Sequence, residues 1–276
     1  MNKSEVKSII RLHGLHPNRK LGQNFLVSDQ ARDRIIAAAG PLDEGMVLEI
    51  GPGLGALTER LIDVAKAVTA VEIDSGLSRF LSERFAGKNN FRLLHADFLK
   101  SEIEGPFTAI VSNLPYYCSS EMLFRFVRYD APAAYVMLQK EMAERIGAKP
   151  GRKAYGALTV SLGFHFEPCI LFSVPRHAFY PMPEVSSRFV KLVRRGPSAL
   201  AADETDLFHL IVKSAFWGRR KTIRKALSES PHLSTGRSDA EIILEKAGIR
   251  SDARGEDLNL DDYIRMAQAY GKEIRR

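Results

Sequence analysis

Apolar and polar positions fall into alternating blocks along the first two thirds of the chain. Short apolar runs at 46–50, 67–73, 91–94, 107–111 and 133–138 have the length of strands buried on both faces. Between them, 56–65, 75–85 and 121–129 carry helical spacing, and 29–39 is a helix that Ser28 or Asp29 can cap and Gly40-Pro41 stops. This alternation of strand and helix predicts a parallel, doubly wound α/β sheet. Residues 139–146 and 157–166 read as helices, 169–174 as a strand, and 185–193 alternates as a final strand of antiparallel type. Past Arg194-Arg195-Gly196-Pro197-Ser198 no strand pattern returns, and 202–276 reads as roughly four helices. The pattern therefore predicts an α/β domain over 1–197, led by a basic, mostly polar and partly ordered segment over 1–20. A small all-helical domain follows over 198–276.

Composition narrows the class. The 276 residues are 45% hydrophobic and 26% charged, which is ordinary for a globular protein of one or two domains. No apolar run is long enough to cross a bilayer, and the first residues lack a secretory apolar core, so a cytoplasmic protein is expected. Cys118 and Cys169 are the two cysteines and lack metal-type spacing, which excludes a zinc framework and fits a reducing compartment. The formal net charge is +7. Between Arg188 and Lys225 there are ten Lys/Arg against three acids, a local excess that matches a polyanionic partner.

The candidate chemistry lies at the ends of the predicted strands. The first runs into Gly51-Pro52-Gly53-Leu54-Gly55 and then a helix, so that backbone can approach a ligand and the helix start offers free N–H groups. Glu72, about 20 residues on, stands where an acid can accept from both ribose hydroxyls. Asp97 can accept from an adenine amino group, with Phe98 packed nearby. Gly51, Gly53 and Ala56 also satisfy a loose dinucleotide fingerprint. Glu49 ahead of the turn and glycines at alternate positions favour S-adenosylmethionine over a nicotinamide cofactor.

Asn113-Leu114-Pro115-Tyr116-Tyr117 follows the fourth strand. Asn113 offers a carbonyl oxygen, Pro115 stiffens the turn and directs the Leu114 carbonyl, and Tyr116 offers an aromatic face. These groups suit a planar base with an exocyclic amine. Two carbonyl acceptors on the amine would favour a more tetrahedral, more nucleophilic nitrogen. In the loop 176–184, rich in aromatics and proline, Phe179 or Tyr180 can form a second wall or pack on its own core. Gly22, Gln23 and Asn24 read equally as a plain turn or as a lid, with Phe25 as its cover. Lys149, Arg152 and Lys153 lie in a basic, flexible loop, and Arg219, Arg220 and Lys221 form a cluster beside Phe216-Trp217. Both are solvated faces or contacts to RNA phosphates.

With these residues in place, the chain resembles the KsgA-type ribosomal RNA adenine dimethyltransferases over nearly its whole length. The shared segments include LGQNFL, EIGPGLGALT, NLPY, MLQKE, KAYG, FYPMP and FWGRRKTIRKAL. The resemblance implies a Rossmann-like S-adenosylmethionine-dependent methyltransferase domain with a small C-terminal helical domain. It implies that Asn24, Leu26, Gly51, Glu72, Asp97 and Asn113 contact the cofactor, joined by Gly53 and Phe98. Asn113, Leu114, Pro115 and Tyr116 would hold the adenine, with Phe179 as the stacking partner. The implied substrate is small-subunit ribosomal RNA, within an immature 30S subunit. Two adjacent adenosines near its 3′ end would each be methylated twice at N6. Apart from the resemblance, a monomer without a metal is expected.

The chain departs from that family at Tyr117, Cys118 and Ser186, where Asn, an aliphatic residue and Asp are usual. An Erm-like enzyme acting on large-subunit RNA shares the motif, but KAYG, FYPMP and FWGRRKT favour the first family. An RNA-binding assembly factor without turnover is opposed by the intact Glu72, Asp97 and NLPY set.

Overall fold

Asn2 starts the first helix through a capping box. Its side chain accepts from the N–H groups of Ser4 and Glu5, and Glu5 reaches back to the Asn2 N–H. Helix α1 (Lys3–Leu12) buries Val6 and half-buries Ile9 and Ile10. Apolar residues at i, i+3 and i+4 form a docking face, so 3–12 of the segment expected to be partly ordered is a packed helix. The computed structural model describes residues 1–18, 21–218 and 220–274.

The short β1 (Phe25–Leu26) is followed by α2 (Asp29–Ala39), which Ser28 caps by accepting from the Ala31 N–H. Strand–helix alternation then builds the sheet from β2 (Met46–Ile50), α3 (Ala56–Val64), β3 (Ala67–Glu72), α4 (Ser75–Arg84), β4 (Phe91–His95) and β5 (Ala109–Asn113). It continues through α5 (Ser119–Arg125), β6 (Ala133–Gln139), α6 (Lys140–Ile146), α7 (Ala157–His165) and β7 (Phe166–Val174). The short β8 (Phe179–Tyr180) and β9 (Ser187–Arg194) follow.

Seven strands order as β4-β3-β2-β5-β6-β9-β7, parallel from β4 to β6 and antiparallel between β6 and β9. Val47, Leu48, Ile110, Val111, Val136 and Leu138 are almost wholly buried, as strands covered on both faces require. The chain winds outward from β2 to β4, then returns to place β5 on the other side of β2. Open α/β sheets hold ligands at the carboxyl ends of the strands flanking such a reversal. Strand β5 runs two residues past the expected 107–111, because its ladder with β6 continues to Asn113↔Met137. Asn113 is therefore the last residue of a strand rather than part of a loop. Strands β1 and β8 pair separately, with Phe25 opposite Tyr180 and Leu26 opposite Phe179.

Contacts divide the chain into Met1–Ala143 with Pro168–Arg194, and Glu144–Glu167 with Arg195–Arg276. The boundary expected at 197 is thus incomplete, because 144–167 belongs to the helical unit. The reason is packing that linear pattern does not reveal. The Phe164 ring stacks on Phe208 of α8 (Ala202–Trp217) at 4.5 Å. Tyr155 donates to the Leu258 carbonyl at 2.7 Å, and the Gly151 N–H to the Glu256 carbonyl at 2.8 Å. These bonds also tie down the basic loop that was expected to be flexible.

With α9 (Ile223–Glu229), α10 (Arg237–Ala247) and α11 (Leu260–Glu273), the helical unit encloses Phe208, Ile211, Ile243, Tyr263 and Met266. Each such side chain contributes roughly 1.5–3 kcal/mol of burial free energy. No helix among the described residues is long and apolar enough to cross a membrane.

Candidate active site

At the carboxyl end of β2 the chain turns through Gly51 and Gly53 with φ of 65° and 61°, the left-handed region that glycine occupies without strain. A Cβ on Gly51 would meet no protein atom within 4 Å, so the space beside it is open for a ligand. A Cβ on Gly53 would lie 3.1 Å from Cδ1 of Phe25, which packs directly on this backbone. Both glycines line a cavity of about 280 Å³ within the α/β unit.

Two buried carboxyls face this turn. Glu72 ends β3, accepting from the Gly53 N–H at 3.1 Å through Oε2 and from the Asp74 N–H at 2.9 Å through Oε1. Burial pushes it up to about 7, opposed by these N–H groups. Glu49 in β2 is pushed up to about 8 by burial, with Thr58 opposing and the Glu72 charge adding. Oε2 of Glu49 has no hydrogen-bond partner. Asp97, after β4, accepts from the Leu99 N–H at 3.0 Å, and Lys100 Nζ lies 3.5 Å from its other oxygen.

These features fit S-adenosylmethionine. A buried acceptor without a partner, a carboxyl already held by backbone donors at the end of β3, and open space against Gly51 suit a ligand with a cationic end and a ribose. Glu72, Asp97 and the backbone around Gly51 would hold it.

Asn113 brings the polar–proline–aromatic motif to the same cavity. Its Nδ2 donates to the Asn24 carbonyl at 3.0 Å. No described residue donates to its Oδ1, which is left as an acceptor. Leu114, Pro115 and Tyr116 line the cavity beside it. The Tyr116 hydroxyl is hydrogen-bonded to Ser187 Oγ at 2.8 Å, and burial raises the phenol pKa. Ser187, wholly buried in β9, thereby fixes the tilt of the ring.

The segment over 21–26 forms a wall of the cavity rather than a plain turn. Asn24 Nδ2 donates to the Gly22 carbonyl at 3.0 Å, and Gln23 Nε2 to Asp74 Oδ2 at 3.1 Å. Gln23 is thus a tether between this wall and the start of α4. Leu26 lines the cavity while 4% exposed.

Two of the expected aromatic residues are almost wholly buried. Phe179 is 2% exposed in the apolar core, pairs with Leu26 of the cavity wall and is not among the residues that line the cavity. Phe98 lines the cavity beside Asp97, and its ring stacks on Tyr129 at 5.7 Å and 18°. Of the departures, Tyr117 stands at the cavity, 58% exposed, whereas Cys118 is buried. Ser186 accepts the Lys140 N–H at 3.0 Å through its carbonyl.

Sequence reasoning missed Ile73, an apolar cavity residue directly after Glu72 and 45% exposed. Its signal was an aliphatic side chain at the open end of a strand. It also missed Ser187, for which no local signal exists, since Tyr116 is distant in sequence.

Lys149, Arg152, Lys153, Arg220 and Lys221 all belong to the helical unit, not to the unit holding the cavity. Lys149, Arg152 and Arg220 are exposed. Lys221 is engaged, with Nζ 2.7 Å from Glu229 Oε2 and 4.1 Å above the Trp217 ring. Arg219 lies outside the described residues, as do Arg19 and Lys20 of the leading segment.

Residues 14–272 match the family model described as ribosomal RNA adenine dimethylase. A protein of Pelotomaculum thermopropionicum named ribosomal RNA small subunit methyltransferase A is 38% identical over 281 residues, covering 96% of this chain and 95% of that protein. One of the same name from Geobacillus thermodenitrificans is 34% identical, covering 96% and 94%. Among solved structures, a dimethyladenosine transferase from Plasmodium falciparum superposes with a TM-score of 0.79 at 26% identity, over 90% of this chain and 98% of that one. The 23S rRNA methyltransferase ErmE superposes with a TM-score of 0.70 at 30% identity, over 89% and 99%.

Proposed function

The chain belongs to the ribosomal RNA adenine dimethylase family, and from that premise we propose how its residues serve the reaction. The protein is an S-adenosylmethionine-dependent methyltransferase that converts adenosine in small-subunit ribosomal RNA to N6,N6-dimethyladenosine. Its targets are two adjacent adenosines near the 3′ end, presented by an immature 30S subunit to a monomeric, cytoplasmic enzyme. Bound S-adenosylmethionine supplies an electrophilic methyl group on a sulfonium.

The chain's own residues position and polarise the base. The observation that carries this reading is the tether from Asn113 Nδ2 to the Asn24 carbonyl, which orients Oδ1 as an acceptor. Asn113 Oδ1 and the Leu114 carbonyl accept the N–H bonds of the adenine amine and draw its lone pair out of the ring. Tyr116, steadied by Ser187, stacks on the base. The base enters unpaired and unstacked, because N6 is otherwise engaged in the duplex. No strong general base is called for, since positioning and preorganised acceptors supply the rate. Glu49, Glu72 and Asp97 hold the cofactor end, and Lys149, Arg152, Lys153, Arg219 and Arg220 contact RNA phosphates.

The test is incubation with tritiated S-adenosylmethionine and under-methylated small subunits, beside large-subunit RNA, followed by digestion to nucleosides. Labelled N6,N6-dimethyladenosine from the small subunit, lost in Asn113→Ala, supports the reading. The likeness to ErmE gives the alternative its place: label in large-subunit RNA alone would reassign the substrate.

A further inference from the structure

Helix α1 lies outside the residues that the family model covers, yet it is a formed element with one face docked and another open to solvent. At 3.6 residues per turn, Lys3, Lys7 and Arg11 fall on one stripe about 12 Å long. All three are exposed. Glu5, the helix's one acid, projects from a different side and is engaged by Asn2. No carboxylate among the described residues pairs with the three cations.

The stripe is also anchored. Nζ of Lys7 and of Lys3 lie 5.5 Å and 5.9 Å from the centroid of the Tyr180 ring. Tyr180 pairs across β1 and β8 with Phe25, and Phe25 lines the cavity. The cations therefore begin one strand pairing away from the cavity wall.

We propose that α1 is a docking surface for RNA, in which Lys3, Lys7 and Arg11 bind phosphates of the strand that delivers its base to the cavity. This rests on the reading of the cavity as an RNA-modifying site. An unpaired row of cations complements a polyanion, and each phosphate neutralised releases counterions, so the contribution is read in the salt dependence of binding.

The experiment measures binding of unmodified small-subunit ribosomal RNA to the full chain by fluorescence anisotropy over a series of KCl concentrations. It requires no turnover. The triple variant Lys3→Gln/Lys7→Gln/Arg11→Gln should weaken binding on the order of tenfold and flatten the slope of log K against log salt by roughly two. A control, Lys66→Gln/Lys88→Gln/Arg92→Gln, removes the same charge near the amino-terminal ends of β3 and β4 and should bind like the parent.

Equal losses in both triples, no loss in the α1 triple, or no RNA binding by the parent would overturn the proposal. If the α1 triple melts below the parent, Lys3→Arg/Lys7→Arg/Arg11→Lys must restore both binding and slope, and failure to restore them also overturns it. RNA binding that depends on α1 in a protein that transfers no label would sink the enzymatic reading and leave this surface standing.

Discussion

The side-chain amide of Asn113, at the end of β5, donates to the backbone carbonyl of Asn24 across 3.0 Å. This bond joins the Asn113–Tyr116 motif to the cavity wall that precedes β1, so the Asn113 side chain, the proposed acceptor for the base, is oriented by that wall. Asn113→Asp keeps an acceptor but sets a carboxylate oxygen against the Asn24 carbonyl. We expect kcat/KM for methyl transfer to fall about 100-fold or more, the usual cost of losing one preorganised polar contact in a site. Single-turnover kinetics check this, and a variant within a few-fold of the parent would show that the tether is not needed.

Tyr116 and Ser187 make a second such pair. Tyr116→Ala removes the stacking face and should raise KM for RNA by an amount equivalent to about 1–3 kcal/mol. Ser187→Ala keeps the face and loses only the hydrogen bond, so its effect should be smaller and fall on kcat as well as KM. Equal defects in the two variants would contradict a positioning role for Ser187.

The buried carboxyls make both stability and ligand binding depend on pH. Glu72 and Glu49 are raised from the ordinary 4.5 to about 7 and about 8. The folded chain then holds protons that the unfolded chain releases, so their contribution to stability is full below 4.5 and is lost as pH rises through 7 and 8. Glu49→Gln removes one titration. Its Tm relative to the parent should therefore climb between pH 5 and pH 9, in differential scanning calorimetry; a constant offset would rule out titration in that window.

The same shift bears on the cofactor. Ionised Glu72 is the better acceptor for ribose hydroxyls, so S-adenosylmethionine affinity should increase as pH passes through about 7 and then level off. Isothermal titration calorimetry between pH 6 and pH 9 tests this, with Glu72→Gln expected to bind weakly and without that rise.

Gly51→Ala places a methyl group in open space on a backbone with φ of 65°. The left-handed conformation costs about 1–2 kcal/mol in stability. The methyl group intrudes where a ligand would lie, so S-adenosylmethionine binding should weaken at least tenfold, beyond what the modest Tm loss explains. Unchanged cofactor affinity would remove Gly51 from the ligand-facing set.

Local pattern was enough for the parallel sheet, the glycine turn after β2, the acid ending β3 and the polar–proline–aromatic motif after β5. Each of these depends on neighbours within a few residues, or on a period that side-chain direction imposes along a strand or helix. Burial, partner choice and ring direction depend on chain segments distant in sequence, and only the tertiary structure decided them. It packed Phe179 in the core opposite Leu26, and gave Tyr116 its partner in Ser187. It moved 144–167 into the helical unit through Tyr155 and Leu258, and packed α1 as a helix where polar composition suggested a loose arm. Charge also changed meaning: the cluster near Lys221 is partly spent on Glu229 and Trp217, while the row on α1 has no carboxylate partner among the described residues. Sequence records which charges are present, and folding decides which remain available to a polyanion.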